Sequence, residues 1–74
     1  MDEQKILKNF GLNCKIQRQI LDLSQDDIVN STGFSKSYIS KVENAKHNIS
    51  MVNALKFAQI YNKTIEELTK DIGN

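Results

Sequence analysis

The sequence predicts an all-α protein, a compact five-helix domain with a helix-turn-helix formed by its second and third helices. Three observations carry that prediction. The 74 residues contain no proline and only three glycines, Gly11, Gly33 and Gly73, so little interrupts helical structure. Ser24, Ser35, Ser50 and Thr64 each stand just before a stretch with helical apolar spacing, where a hydroxyl can accept from the free amides of a first turn. Gly33 lies between two short helical patterns, where it permits positive φ and a turn of three or four residues that sets the two axes at a steep angle.

The first helix is expected over about residues 3–21, with Leu7, Phe10, Cys14 and Leu21 on its inner face. Ser24 and Asp27 form a variant capping box that opens a second helix, 25–32, burying Ile28 and Val29. Ser35 caps a third, 36–43, with Ile39 and Val42 inward. Ser50 opens a fourth, 51–61, offering Ala54, Leu55, Phe57, Ala58 and Tyr61. Thr64 and Glu67 match the capping box fully and open a fifth, 65–71, with Ile65 and Leu68 inward. Asn44 and Asn62 follow helices, at positions where a left-handed residue commonly ends one. The second and third helices are too short to persist alone, so tertiary packing must hold them. The organisation expected is one domain over 1–74, with the motif at about 24–44 and a dimerisation helix at about 64–72.

Composition excludes several classes. No apolar run approaches membrane-spanning length, and the polar, acidic start MDEQKILKNF targets nothing out of the cytoplasm, so a cytoplasmic protein is the default. One cysteine, Cys14, forms no internal disulfide, and with one distant histidine it builds no zinc site. Cys14 reads as a small core hydrophobe. No second histidine, nucleophile–base pair or glycine-rich phosphate loop supports an enzyme, and no cofactor, metal or small-molecule ligand is expected.

Charge distribution is more informative than the net charge of +1. Residues 33–48, GFSKSYISKVENAKHN, hold Lys36, Lys41 and Lys46 against Glu43 alone. Ile39 and Val42 share one helix face, while Lys36, Ser37, Ser40, Lys41 and Asn44 fall on the other. A helix of this kind fits the DNA major groove, where short polar or basic side chains reach base edges and an acid would be repelled. Asn44, Lys46, His47 and Asn48 then form a loop beside the duplex, placed for phosphate contact. Tyr38 is either packed or reaches the DNA backbone or central bases through its hydroxyl. Arg18 and Glu43 are expected to tie the first helix to the end of the third.

The stretch SQDDIVNSTGFSKSYISKVENAKHNIS, with Arg18 upstream and LKFAQIYNKTIEEL downstream, resembles the lambda-repressor-like helix-turn-helix family. This is the Cro and phage-repressor type, also called the xenobiotic-response-element family. Gln25, Ile28, Gly33, Ser35, Ile39, Ser40, Val42 and Glu43 occupy the family's expected positions over roughly residues 10–68. SKSYISKVENAKHNIS looks especially like restriction–modification controller proteins and small phage repressors. The resemblance implies base reading at Lys36 and Ser37, with Ser40 and Lys41 on the same face, and a phosphate contact at Gln25 beside a helix amino terminus.

It further implies a homodimeric transcriptional regulator on a palindromic operator in double-stranded DNA, with half-sites about one helical turn apart. Since the third helix faces DNA and the second lies behind it, the expected dimer surface is Ile49, Met51, Ile65, Leu68 and Ile72. Ile72 alternatively belongs to a frayed end. The alternative functions are the antitoxin of a toxin–antitoxin pair and a protein-interaction module that uses this fold without DNA.

Overall fold

A computed structural model of the chain describes residues 2–72. Its helices are α1 (Glu3–Ile20), α2 (Gln25–Thr32), α3 (Lys36–Glu43), α4 (Met51–Tyr61) and α5 (Ile65–Leu68), with no strand among the described residues. Every expected cap is formed. The Ser24, Ser35, Ser50 and Thr64 hydroxyls accept from the amides of Asp27, Tyr38, Asn53 and Glu67. The Asp27 and Glu67 carboxylates return the bond to the amides of Ser24 and Thr64, which completes two capping boxes. Asp2 caps α1 in the same way, accepting from Gln4 and Lys5.

The helices share one core of Phe10, Cys14, Ile28, Ile39, Val42, Ala54, Phe57, Ala58, Tyr61 and Leu68. Phe57 is its centre, fully buried, with Phe10 edge-on at 6.1 Å and Phe34 tilted at 5.4 Å between ring centroids. Helix α1 packs against α3, α4 and α5, and α2 packs against α3. Each short helix is therefore held by a neighbour, as its length requires. No helix among the described residues is long and apolar enough to cross a membrane.

Four expectations are corrected. Leu21 is exposed: α1 stops at Ile20, Asp22 takes φ 57°, and Leu23 turns back onto the core in its place. Leu55 is also exposed, because α4 directs Ala54, Phe57, Ala58 and Tyr61 inward and leaves Leu55 beside exposed Met51 and Val52. Asn62 does adopt the left-handed conformation, but the left-handed residue after α3 is Ala45 (φ 57°), not Asn44. Lastly, α5 ends at Leu68 rather than near 71. The Asn13 side-chain amide donates to the Leu68 carbonyl at 2.9 Å and the Lys70 carbonyl at 3.0 Å, drawing the chain away from its helical path and along α1.

Candidate nucleic-acid interface

The turn between α2 and α3 is built from four consecutive residues. Gly33 sits at φ 80° and closes α2 by donating to the Val29 carbonyl. The Thr32 hydroxyl donates to the Ile28 carbonyl at 2.7 Å and accepts from the Phe34 amide at 3.0 Å. Phe34 anchors the turn on Phe57 and Tyr38, and Ser35 caps α3. The next helix therefore starts in a defined direction.

Two features hold α3 from behind. Gly11 of α1 packs against its last turn so closely that an added Cβ would clash with the Val42 carbonyl and lie 2.8 Å from the Glu43 carbonyl. A buried polar cluster then joins three helices. The Arg18 guanidinium donates to Glu43 through Nε to Oε2 at 2.7 Å and Nη2 to Oε1 at 3.1 Å, with the two side chains 13% and 2% exposed. Its remaining nitrogen, Nη1, donates to the Leu23 carbonyl at 3.1 Å. The Gln25 side-chain amide also donates to Glu43 Oε1, at 3.1 Å. Hydrogen bonding to Glu43 raises the Arg18 pKa further, so the guanidinium stays charged. The expected tie between Arg18 and Glu43 is present, and Gln25 is a member that sequence spacing did not reveal.

With Ile39, Val42 and Glu43 buried, α3 turns its opposite side outward. Ser37 and Lys41 are exposed on that side, and Lys36, three residues before Ile39, is exposed at the flank where the helix begins. Ser40 is half-buried and takes the Asn44 side-chain amide on its carbonyl at 2.8 Å. Lys46, His47 and Asn48 lie exposed in the following loop. Tyr38 is packed: its ring lies against Phe34 and His47, and its hydroxyl accepts from the Asn53 side chain at 3.0 Å. Gln25 stands at the start of α2, but one of its amide hydrogens points inward to Glu43.

Of the expected dimer surface, Met51 is 79% exposed, and Ile49, Ile65 and Ile72 are half-buried. Leu68 is fully buried in the core, which removes it from that surface. The neighbouring Val52 (64% exposed) and Leu55 were not expected there. The face of α3 is also less free of acid than the sequence suggests, since Asp26 of α2 pairs with Lys36 at 3.5 Å. Cys14 is fully buried, and its thiol pKa is pushed far up by burial and then by the Glu43 charge, so it is an inert core residue.

A short helix held rigidly at its back and presenting a polar, basic face is the arrangement of a DNA-binding helix-turn-helix. The Helix-turn-helix family model HTH_3 matches residues 15–68, and the chain belongs to that family. It is a DNA-binding regulator related to restriction–modification controller proteins. The chain is 34% identical over 58 residues to Control protein C.MunI from Mycoplasma sp, covering 78% of each. Its fold matches the crystal structure of the restriction-modification controller protein C.AhdI from Aeromonas hydrophila with a TM-score of 0.76. That match is 34% identical and spans 84% of this chain and 94% of the other. Both relatives are control or controller proteins by name.

Proposed function

We propose that this protein controls transcription in the cytoplasm by binding a palindromic operator as a homodimer, in the manner of a restriction–modification controller. The observation that carries the reading is the outward face of α3, where Lys36, Ser37 and Lys41 stand exposed on a helix anchored through Glu43. Base reading falls to Lys36 and Ser37 in the first turn, with Lys41 and the half-buried Ser40 one turn on. Phosphate contacts fall to Gln25, Asn44, Lys46, His47 and Asn48 around its ends, where positive charge and helix-start amides favour an anion. Kinship to two control proteins favours this reading over an antitoxin.

The second subunit is assigned to the α4–α5 side. Ile65 borders one groove with Ile49 and another with Leu55, and the exposed Met51 and Val52 stand on α4 one turn before Leu55. Two subunits docked there would present two copies of α3 to half-sites about 34 Å apart.

Fluorescence anisotropy with duplexes across a salt series tests the reading. Four or five phosphate contacts per subunit predict that the logarithm of affinity falls with log salt at a slope on the order of −6 to −9 for a dimer. Lys46→Ala should weaken binding to all sequences alike, whereas Lys36→Ala should cost about 1–3 kcal/mol at the selected operator and blur the preferred sequence. A flat salt response would sink the proposal.

A further inference from the structure

Asp26 and Asp27 both stand in the first turn of α2, and they have different work. Asp27 is committed to the capping box, with its carboxylate 2.8 Å from the Ser24 amide. Asp26 takes no part in that cap. Its carboxylate instead lies 3.5 Å from the Lys36 ammonium, and both side chains are mostly exposed, at 70% and 62%. An exposed ion pair contributes little to folding stability. Yet this one joins the residue after Gln25 to the first residue of the helix that faces DNA, where a free carboxylate would oppose phosphate.

We propose that Asp26 is a positioning residue that determines the specificity of Lys36; the inference rests on the DNA-binding reading above. Lysine is a flexible point charge with three donors, and unlike arginine it has no planar fork to fix its aim at a base. At 3.5 Å, longer than an ordinary hydrogen bond, Asp26 holds the ammonium on one side by charge and leaves its donors for acceptors on a base edge. Guanine presents two such acceptors, O6 and N7, whereas adenine sets an amino group beside its N7. The carboxylate also repels the flanking phosphates. It thereby withholds Lys36 from the sequence-independent contact that a free ammonium would make. Selectivity of this kind comes from suppressing the wrong contact as well as making the right one. The alternative role for Asp26, a favourable charge at the start of α2, would affect stability and leave base preference alone.

The test is selection of duplexes from a random pool by the full chain, followed by salt titrations on the selected operator and on an unrelated duplex. Asp26→Asn keeps the shape and removes the charge. It should strengthen binding to the unrelated duplex by about threefold per subunit, the scale of one exposed charge pair. It should also steepen the salt slope there by about one for each lysine released to phosphate. The selected motif should lose its preference at the base pair under Lys36 and keep it elsewhere, and Asp26→Glu should restore it. In the Asp26→Asn background, Lys36→Ala should reverse the gain on unrelated DNA. An Asp26→Asn protein with an unchanged motif and an unchanged slope would overturn the inference while leaving the DNA-binding reading intact. A wild-type protein with a flat salt response and no selected motif would overturn both.

Discussion

Gly11 of α1 lies against the Val42 carbonyl of α3 with no room between them for a methyl group. The clashing atoms are backbone, so they cannot swing aside, and the contact sets how closely the reading helix approaches α1. Gly11→Ala would gain about 1 kcal/mol of helix propensity. The steric cost of forcing a methyl group into a packed site is typically about 1–3 kcal/mol or more, and here backbone must move. A lower melting temperature with weakened operator binding is expected, because α3 itself has to shift. Gly33→Ala should behave differently. Open space surrounds that position, so only the left-handed backbone is penalised, by about 1 kcal/mol. A Gly11→Ala protein as stable as wild type in thermal melts would show that α1 and α3 do not pack this tightly.

The Arg18–Glu43 pair gives a second prediction. Arg18→Met leaves the Glu43 carboxylate buried without its guanidinium, which typically costs about 3–5 kcal/mol. Removing both charges, as Arg18→Met with Glu43→Leu, should recover much of that loss, since desolvation no longer opposes folding. Denaturant unfolding of the two variants would measure the difference. Equal destabilisation by the single and double variants would refute the pairing argument.

A third prediction concerns acid. The Asp27 carboxylate has its pKa lowered, first by the Ser24 backbone amide and then by the Ser24 hydroxyl; Glu67 is lowered chiefly by the Thr64 amide. A folded-state pKa below the unfolded value means stability that is fully present above the unfolded value and lost as pH falls through the folded one. Wild type should therefore exceed Asp27→Asn in urea midpoint at about pH 7, and the gap should close toward about pH 2.5. A gap that persists in acid would mean that Asp27 acts through something other than its charge.

Assembly supplies the fourth. Met51→Asp with Val52→Asp alters only exposed side chains at the start of α4, so circular dichroism should stay unchanged. If the second subunit docks there, sedimentation should show a monomer, and operator binding should fall steeply because one reading helix makes few contacts. A double variant that remains dimeric would move the interface elsewhere on the subunit.

Much of this molecule is written in short-range relationships. A hydroxyl three residues before the amide that it serves is a local signal, which is why Ser24, Ser35, Ser50 and Thr64 place four helix starts without any tertiary information. The spacing of Ile39 and Val42 likewise determines which side of α3 is buried, and hence that Ser37 and Lys41 face out. The turn at Gly33 follows from the backbone freedom of one residue.

Tertiary structure decided the relationships between residues far apart in the chain. Asn13 ends α5 by taking the Leu68 and Lys70 carbonyls from 55 and 57 residues away, where helical periodicity alone carries the helix onward. Gln25 turns inward because Glu43 waits there, and Asp26 reaches Lys36 because the turn folds α2 beside α3. Leu55 stands beside Ala54 in the sequence, but the i, i+3, i+4, i+7 set of Ala54, Phe57, Ala58 and Tyr61 is the one that α4 buries, which leaves Leu55 outside. Gly11 carries no local mark of its role, since an empty side chain becomes necessary only when another helix's backbone presses against it. Caps, faces and turns depend on neighbours within about four residues, so the sequence by itself determined them. Polar pairings, close backbone approaches and the last turn of a helix depend on which distant group arrives, and that is settled only when the core closes.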